Sequence, residues 1–400
     1  CREGLRMSVA PESGHLQPVE LGCERLFDAE LDVVKGRRVG LITNHSGVDS
    51  RLRATADNLH SHPEIELVRL FGPEHGIRGD AEDGVHVGDA MDAQTQVPTT
   101  SLYGERRQPT AQELGEIDVL LFDIQDVGVR FYTYLYTMSL GMEACAAAGV
   151  PFVVLDRPNP LGGLQVEGNL LDPDFSSFVG LYPIPVRYGL TIGELARLLN
   201  EQFGIGADLH VVTLAGWRRS MRWQDTGLPW VAPSPNMPTI DTAGVYPGTC
   251  FFEGTNVSEG RGTTRPFEQF GAPFVDGFAV GRALEDRQIP GALWRPVTFR
   301  PAFSKHAGEV CRGVQLHVQN EEIFEPVRAG FEALAIVRRL SADFEWRASH
   351  KGIHNFDKLA GTDCIRQAID DGVDVEDLVE EWKRQRQPFA QIRERYLYYT

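Results

Sequence analysis

Glu66-Leu67-Val68-Arg69-Leu70, running into Phe71-Gly72-Pro73-Glu74-His75-Gly76-Ile77-Arg78-Gly79-Asp80, is the stretch that decides the fold class. The first five residues are a short apolar run that reads as a buried strand. The next ten cannot continue it, because Gly72 and Pro73 break a ladder and Gly76 and Gly79 permit backbone angles closed to other residues. A carboxylate and an imidazole, Glu74 and His75, therefore stand side by side on a bend just past a strand's carboxyl end. Ligands bind at that position in open α/β sheets. Pro-Glu-His-Gly has no capping or turn requirement for a glutamate, so Glu74 is the first candidate for chemistry.

Outward from this stretch the same rhythm repeats. Residues 38–43 (Arg-Val-Gly-Leu-Ile-Thr) read as a first buried strand ending in Asn44-His45-Ser46-Gly47. A helix over 54–61 precedes the 66–70 strand. Strands at 118–122, 151–155 and 209–214 alternate with helices at 134–148 and 191–203, and Thr191 with Glu194 three residues on forms a capping box. Strands alternating with helices predict a doubly wound, mainly parallel sheet. Residues 217–275 are rich in Gly, Pro, Asn and aromatics, a composition of functional loops rather than a linker. Beyond them a helix at 277–286, strands at 297–303 and 314–318, and helices at 326–340, 363–371, 375–384 and 389–396 predict a smaller α+β domain. The expected division is a loose lead-in over 1–25, a first domain over 26–235 and a second domain over 236–400.

Composition narrows the function. The 400 residues carry 39 Lys and Arg against 56 Asp and Glu, a formal charge of −17 that argues against nucleic acid and anionic bilayers as partners. An anionic substrate would need a local cluster of cations to overcome that field. No apolar run is long enough to span a membrane. The six cysteines are scattered without a zinc-like or disulfide-dense spacing. No signal peptide is read at the N-terminus, which leaves cytoplasmic and exported, processed forms both open.

The polar tips of the strands carry the candidate site. Asp123-Ile124-Gln125-Asp126-Val127-Gly128-Val129-Arg130 leads into Phe131-Tyr132-Thr133-Tyr134. Asp156-Arg157-Pro158-Asn159-Pro160 and Glu167-Gly168-Asn169 follow, then Ser234-Pro235-Asn236-Met237-Pro238 and Glu253-Gly254-Thr255-Asn256-Val257-Ser258-Glu259-Gly260-Arg261. Any one of these has a bland reading: Asp123 or Asp126 as a helix cap, Arg130 or Arg157 as its ion-pair partner. Together they suggest one rim. No dinucleotide fingerprint follows the first strand, and there is no phosphate-binding loop and no nucleophile elbow. His75 and His86 with Asp80, Asp83 or Asp89 match no standard metal spacing. Carboxylates, arginines, asparagines and aromatics suit a sugar, with Tyr132, Tyr134, Trp230 and Tyr246 offering ring faces. Glycoside hydrolysis needs a protonated acid at the leaving oxygen and a group that stabilises or traps an oxocarbenium-like centre. Glu74 is the expected acid.

At these motifs, and at Phe356-Asp-Lys-Leu-Ala-Gly-Thr362, the sequence resembles the peptidoglycan-processing exo-β-N-acetylmuramidases, a family long catalogued as a domain of unknown function. The resemblance spans about residues 25–400. It implies a Rossmann-like domain, a smaller second domain, a cleft between them, and release of N-acetylmuramic acid from the non-reducing end of wall saccharides without a metal or redox cofactor. It also implies Glu74 as the catalytic acid. Glu253 or Glu259 is expected as second group, with Asp123, Asp126, Glu167 and the substrate's own acetamido oxygen also open. Arg130, Arg157 or Arg261 is expected at the lactyl carboxylate. Asn44, His75, Gln125, Tyr132, Asn159, Asn236 and Asn256 complete the expected site. Two other functions compete: a sensor that binds wall fragments without turnover, and a wall-directed esterase or amidase.

Overall fold

Residue 41 sits at the middle of a seven-stranded sheet whose core strand is β1 (Arg38–Thr43). The computed structural model describes residues 18–74, 76–79, 90–104, 106–348 and 352–400. After β1 come β2 (Glu66–Gly72), β3 (Ala90–Met91), β4 (Pro98–Ser101), β5 (Val119–Asp123) and β6 (Phe152–Leu155). A small antiparallel pair, β7 (Glu167–Leu170) and β8 (Pro185–Arg187), precedes β9 (Leu209–Val212). The sheet runs β3-β4-β2-β1-β5-β6-β9, parallel throughout except for edge strand β3. Counting only the parallel strands, this is the Rossmann order, with the chain reversing direction across the sheet between β1 and β5. Thr43 and Asp123 are register partners at that reversal.

Period-two alternation puts Val119 and Leu121 into one apolar cluster and Leu120 and Phe122 into another on the opposite face. Residues 18–25, expected as part of a lead-in, already belong to the fold: a helix at Gly22–Asp28 starts so close to β6 that a Cβ on Gly22 would stand 2.4 Å from the Asp156 nitrogen. The 66–70 strand runs two residues further than expected, because Gly72 still pairs with Ser101 and the ladder ends only at Pro73, which has no N–H to give. Gly76 and Gly79 take positive φ of 70° and 77°, the left-handed region that sequence expected of them. The capping box at Thr191 and Glu194 is formed.

The second half holds an antiparallel sheet, β10 (Gln269–Ala272), β11 (Ala292–Phe299) and β12 (Cys311–Val318), ordered β10-β12-β11. The strand expected at 297–303 in fact ends at Phe299, and Phe303 to Lys305 form a loop. Helix Ile240–Thr249 falls inside the stretch read as irregular, with Thr239 Oγ1 accepting from the Thr242 nitrogen and Pro247 in its last turn. It crosses helix Pro326–Leu340 at Gly248 and Gly330, where a Cβ on Gly330 would lie 2.2 Å from the Gly248 oxygen. One apolar cluster runs without interruption from Phe122 and Phe152 under the sheet to Phe251, Phe331 and Trp382 in the second half. Among the described residues no helix is long and apolar enough to cross a membrane.

Candidate active site

Glu74 reaches its position because β2 stops at Pro73, leaving the glutamate on the first turn beyond the sheet's carboxyl edge. There it lines a cleft of about 850 Å³ between the two halves of the chain. From the loop after β5 come Phe131, Tyr132 and Tyr134, with Tyr132 and Tyr134 packed edge-to-face at 5.0 Å. Tyr246 meets Tyr132 at 5.9 Å and Phe131 at 5.4 Å, closing an aromatic wall across both halves. The Tyr134 hydroxyl and the Asn44 amide both donate to the Pro233 carbonyl, at 2.7 and 3.2 Å, which fixes the turn carrying Ser234 into the cleft.

The opposite wall is the 250–261 segment. Arg261 holds Glu253 at 2.9 Å and Glu259 at 3.4 Å, and its guanidinium lies 5.1 Å over the Phe267 ring. Lys305 approaches the second Glu259 oxygen at 2.8 Å and also donates to the carbonyls of Phe252 and Val257. The two glutamates are therefore unequal: the Glu253 side chain keeps 29% of its surface exposed and Glu259 only 2%.

Of the expected residues, Glu74, Tyr132, Glu253, Glu259 and Arg261 come together in this cleft. His75 lies outside the described residues, as do His86, Asp80, Asp83 and Asp89. Asn44 acts one step behind, through Pro233. The others turn to protein partners. Arg130 is completely buried and its two terminal nitrogens donate to the carbonyls of Asn169, Ile184, Leu359 and Ala360, so it faces protein oxygens rather than the cleft. Burial pulls its pKa down to about 10, which still leaves it charged at neutral pH. Arg157 grips Asp123 at 2.5 and 2.9 Å beneath the surface, correcting the expectation that either group meets substrate. Gln125 bonds the carbonyls of Asp126 and Pro158, and Asn159 that of Leu190. Glu167 is buried against Arg187 at 2.5 Å. Asp126 accepts from the Gly128 nitrogen and the Tyr188 hydroxyl, and its burial pushes its pKa up to about 6. Asn256 ties its loop to Asp343 and Glu345, and Asn236 is buried in the 233–238 turn. Trp230 stands edge-on to Trp223 at 5.0 Å rather than in the cleft.

Sequence reading missed Tyr103, Phe303, Ser304, Lys305, Arg347, Asn355 and Lys358, which also line the cleft. The structure rather than the sequence marks this loop: Phe303 is 58% exposed beside Ser304, which adopts a left-handed φ of 69°.

Models of exo-β-N-acetylmuramidase NamZ match the chain over residues 39–241 (N-terminal part) and 244–399 (C-terminal part). The chain belongs to the NamZ family. Peptidoglycan β-N-acetylmuramidase NamZ of Bacillus subtilis strain 168 is 48% identical over 382 residues, covering 95% of this chain and 91% of that protein. Two crystal structures of DUF1343 family proteins from Bacteroides fragilis NCTC 9343 superpose with TM-scores of 0.88 and 0.78 at 38% and 30% identity. Each covers 96% of this chain, and 99% of either neighbour is matched in return. The cleft takes its walls from both parts of the NamZ match: Glu74 and the β5 loop from the first, Glu253 to Lys358 from the second.

Proposed function

We propose that this chain is an exo-acting glycoside hydrolase that releases N-acetylmuramic acid from the non-reducing end of peptidoglycan fragments, with Glu74 as general acid and Glu253 as the second carboxylate. The observation that carries the assignment of roles is the convergence of these two glutamates, from opposite halves of the chain, on one aromatic-walled cleft. Glu74 protonates the glycosidic oxygen as the bond to the anomeric carbon breaks. Glu253, oriented by Arg261, stabilises the oxocarbenium-like centre and directs what attacks it. Glu259 is a positioning residue, since its oxygens are engaged by Arg261 and Lys305 and only 2% of its side chain is exposed. In this reading residues 26–235 deliver the acid and residues 236–400 close the cleft. The reaction needs proton transfer and charge stabilisation, which these side chains supply themselves.

A chromogenic β-N-acetylmuramide run beside the matching N-acetylglucosaminide tests it. The parent protein is expected to turn over the muramide alone, and Glu74→Gln to lose about 10²- to 10⁴-fold in kcat, the usual share of a general acid. Full turnover by the variant would remove Glu74 from the role. Tight muramic acid binding with no turnover by the parent would replace the hydrolase by a sensor.

A further inference from the structure

The substrate class in the preceding proposal carries a free carboxylate on its lactyl ether, and the chain as a whole carries a formal charge of −17. Something local must reverse that field where the lactyl group sits. The cleft is lined by three carboxylates, Glu74, Glu253 and Glu259, and four cations, Arg261, Lys305, Arg347 and Lys358. Arg261 and Lys305 are engaged by Glu253 and Glu259. Arg347 and Lys358 are different: among the described residues neither side chain has an ion pair or a hydrogen bond. The main chain of Arg347 is nonetheless fixed, its nitrogen donating to the Gly254 oxygen at 2.8 Å and its oxygen accepting from Asn355 at 3.0 Å. Lys358 rides on the helix Asn355–Ala360, which Arg130 pins through the Leu359 and Ala360 carbonyls. Two unspent cations on held backbones face a cleft that takes an anion.

We infer that Arg347 and Lys358 form the subsite for the lactyl carboxylate and so set the preference for N-acetylmuramic over N-acetylglucosamine substrates. The inference rests on the muramidase reading above. It also fits the layout. The lactyl ether leaves C3 of the ring in a different direction from the glycosidic oxygen on C1, and these two cations come from Arg347, bonded to Gly254, and from the helix Asn355–Ala360 rather than from the β2 turn that brings Glu74. A forked guanidinium and an ammonium lining the same cleft offer donors that match a carboxylate with two acceptor oxygens.

The test compares two chromogenic substrates that differ only in charge: the β-N-acetylmuramide with its lactyl carboxylate free, and the same compound as its neutral lactyl N-methylamide. The parent protein is expected to favour the carboxylate in kcat/KM by about ten- to a hundredfold, the size of a charge-assisted hydrogen-bonded pair. Arg347→Met combined with Lys358→Met should collapse that ratio toward one, mainly through KM, and Lys358→Arg should keep most of it. A parent with no preference, or a double variant that keeps the full ratio, overturns the inference while leaving the hydrolase intact. Loss on both substrates in equal proportion also overturns it, because it marks a structural role. A parent that turns over neither compound sinks the hydrolase reading instead. The subsite is then judged by calorimetry, where N-acetylmuramic acid must bind about tenfold more tightly than its lactyl amide, and equal affinities reject it.

Discussion

Glu253 and Glu259 touch the same guanidinium and yet should answer mutation in opposite ways. Glu259 is buried between Arg261 and Lys305, so Glu259→Gln leaves Lys305 without a carboxylate and Arg261 with Glu253 alone, and is expected to cost about 3–5 kcal/mol of stability. Glu253 is partly exposed, so Glu253→Gln should lower kcat with little change in the urea midpoint. Unfolding and steady-state kinetics on the pair separate the two roles. Asp126 supports a prediction of a different kind. Burial raises its folded pKa to about 6, above the value of an unfolded aspartate, so the stability tied to its protonated form is present at low pH and fades as pH rises through 6. Asp126→Asn cannot ionise, and its stability relative to the parent should therefore increase between pH 4 and pH 7 in urea titrations. Glu74 was legible in the sequence because a glutamate between Pro73 and a glycine-rich bend has no structural duty to explain it. Arg130 and Arg157 were not, because an arginine past a strand end reads alike whether it faces a ligand or caps buried oxygens. Only the three-dimensional count of acceptors around it tells the two apart.

At the level of elements, the strands that alternate with helices were readable from apolar runs of fixed length, and their class followed. Helix Ile240–Thr249 was not, because Gly244, Pro247 and Gly248 are all residues that argue against a helix locally. Tertiary contact decides it: Gly248 and Gly330 let two helices approach until main chain meets main chain. Gly330→Ala should push them apart and cost about 1–3 kcal/mol. Gly244→Ala, on the same helix with no atom within 4 Å of its Cβ position, should instead stabilise by about 0.5–1 kcal/mol through helix propensity. Thermal or urea midpoints of the two variants, moving in opposite directions, check both. The loop 303–305 escaped reading for a related reason: its apolar residues look like a strand's end, and nothing local says that the β11–β12 register closes at Phe299 and Cys311.

For the whole molecule, the order of strands was beyond reach of local pattern, since it is set by crossovers rather than by any single run. The continuous apolar cluster beneath the sheet and through the second half has a thermodynamic consequence. Neither half can lose its packing without exposing the other's, so both should unfold in one step. Far-ultraviolet circular dichroism and tryptophan fluorescence should report the same urea midpoint, whereas two separated transitions would mean the halves are independent. Arg130 extends that unity to the cleft in a form that bears on how the protein can be re-engineered. It grips main-chain oxygens alone, in both halves of the chain. Side chains near its grip are thus spectators to it, and the helix carrying Asn355 and Lys358 is seated whatever those two positions hold. Saturation libraries at Asn355 and Lys358 can therefore be searched for new sugar acids with the scaffold left as it is.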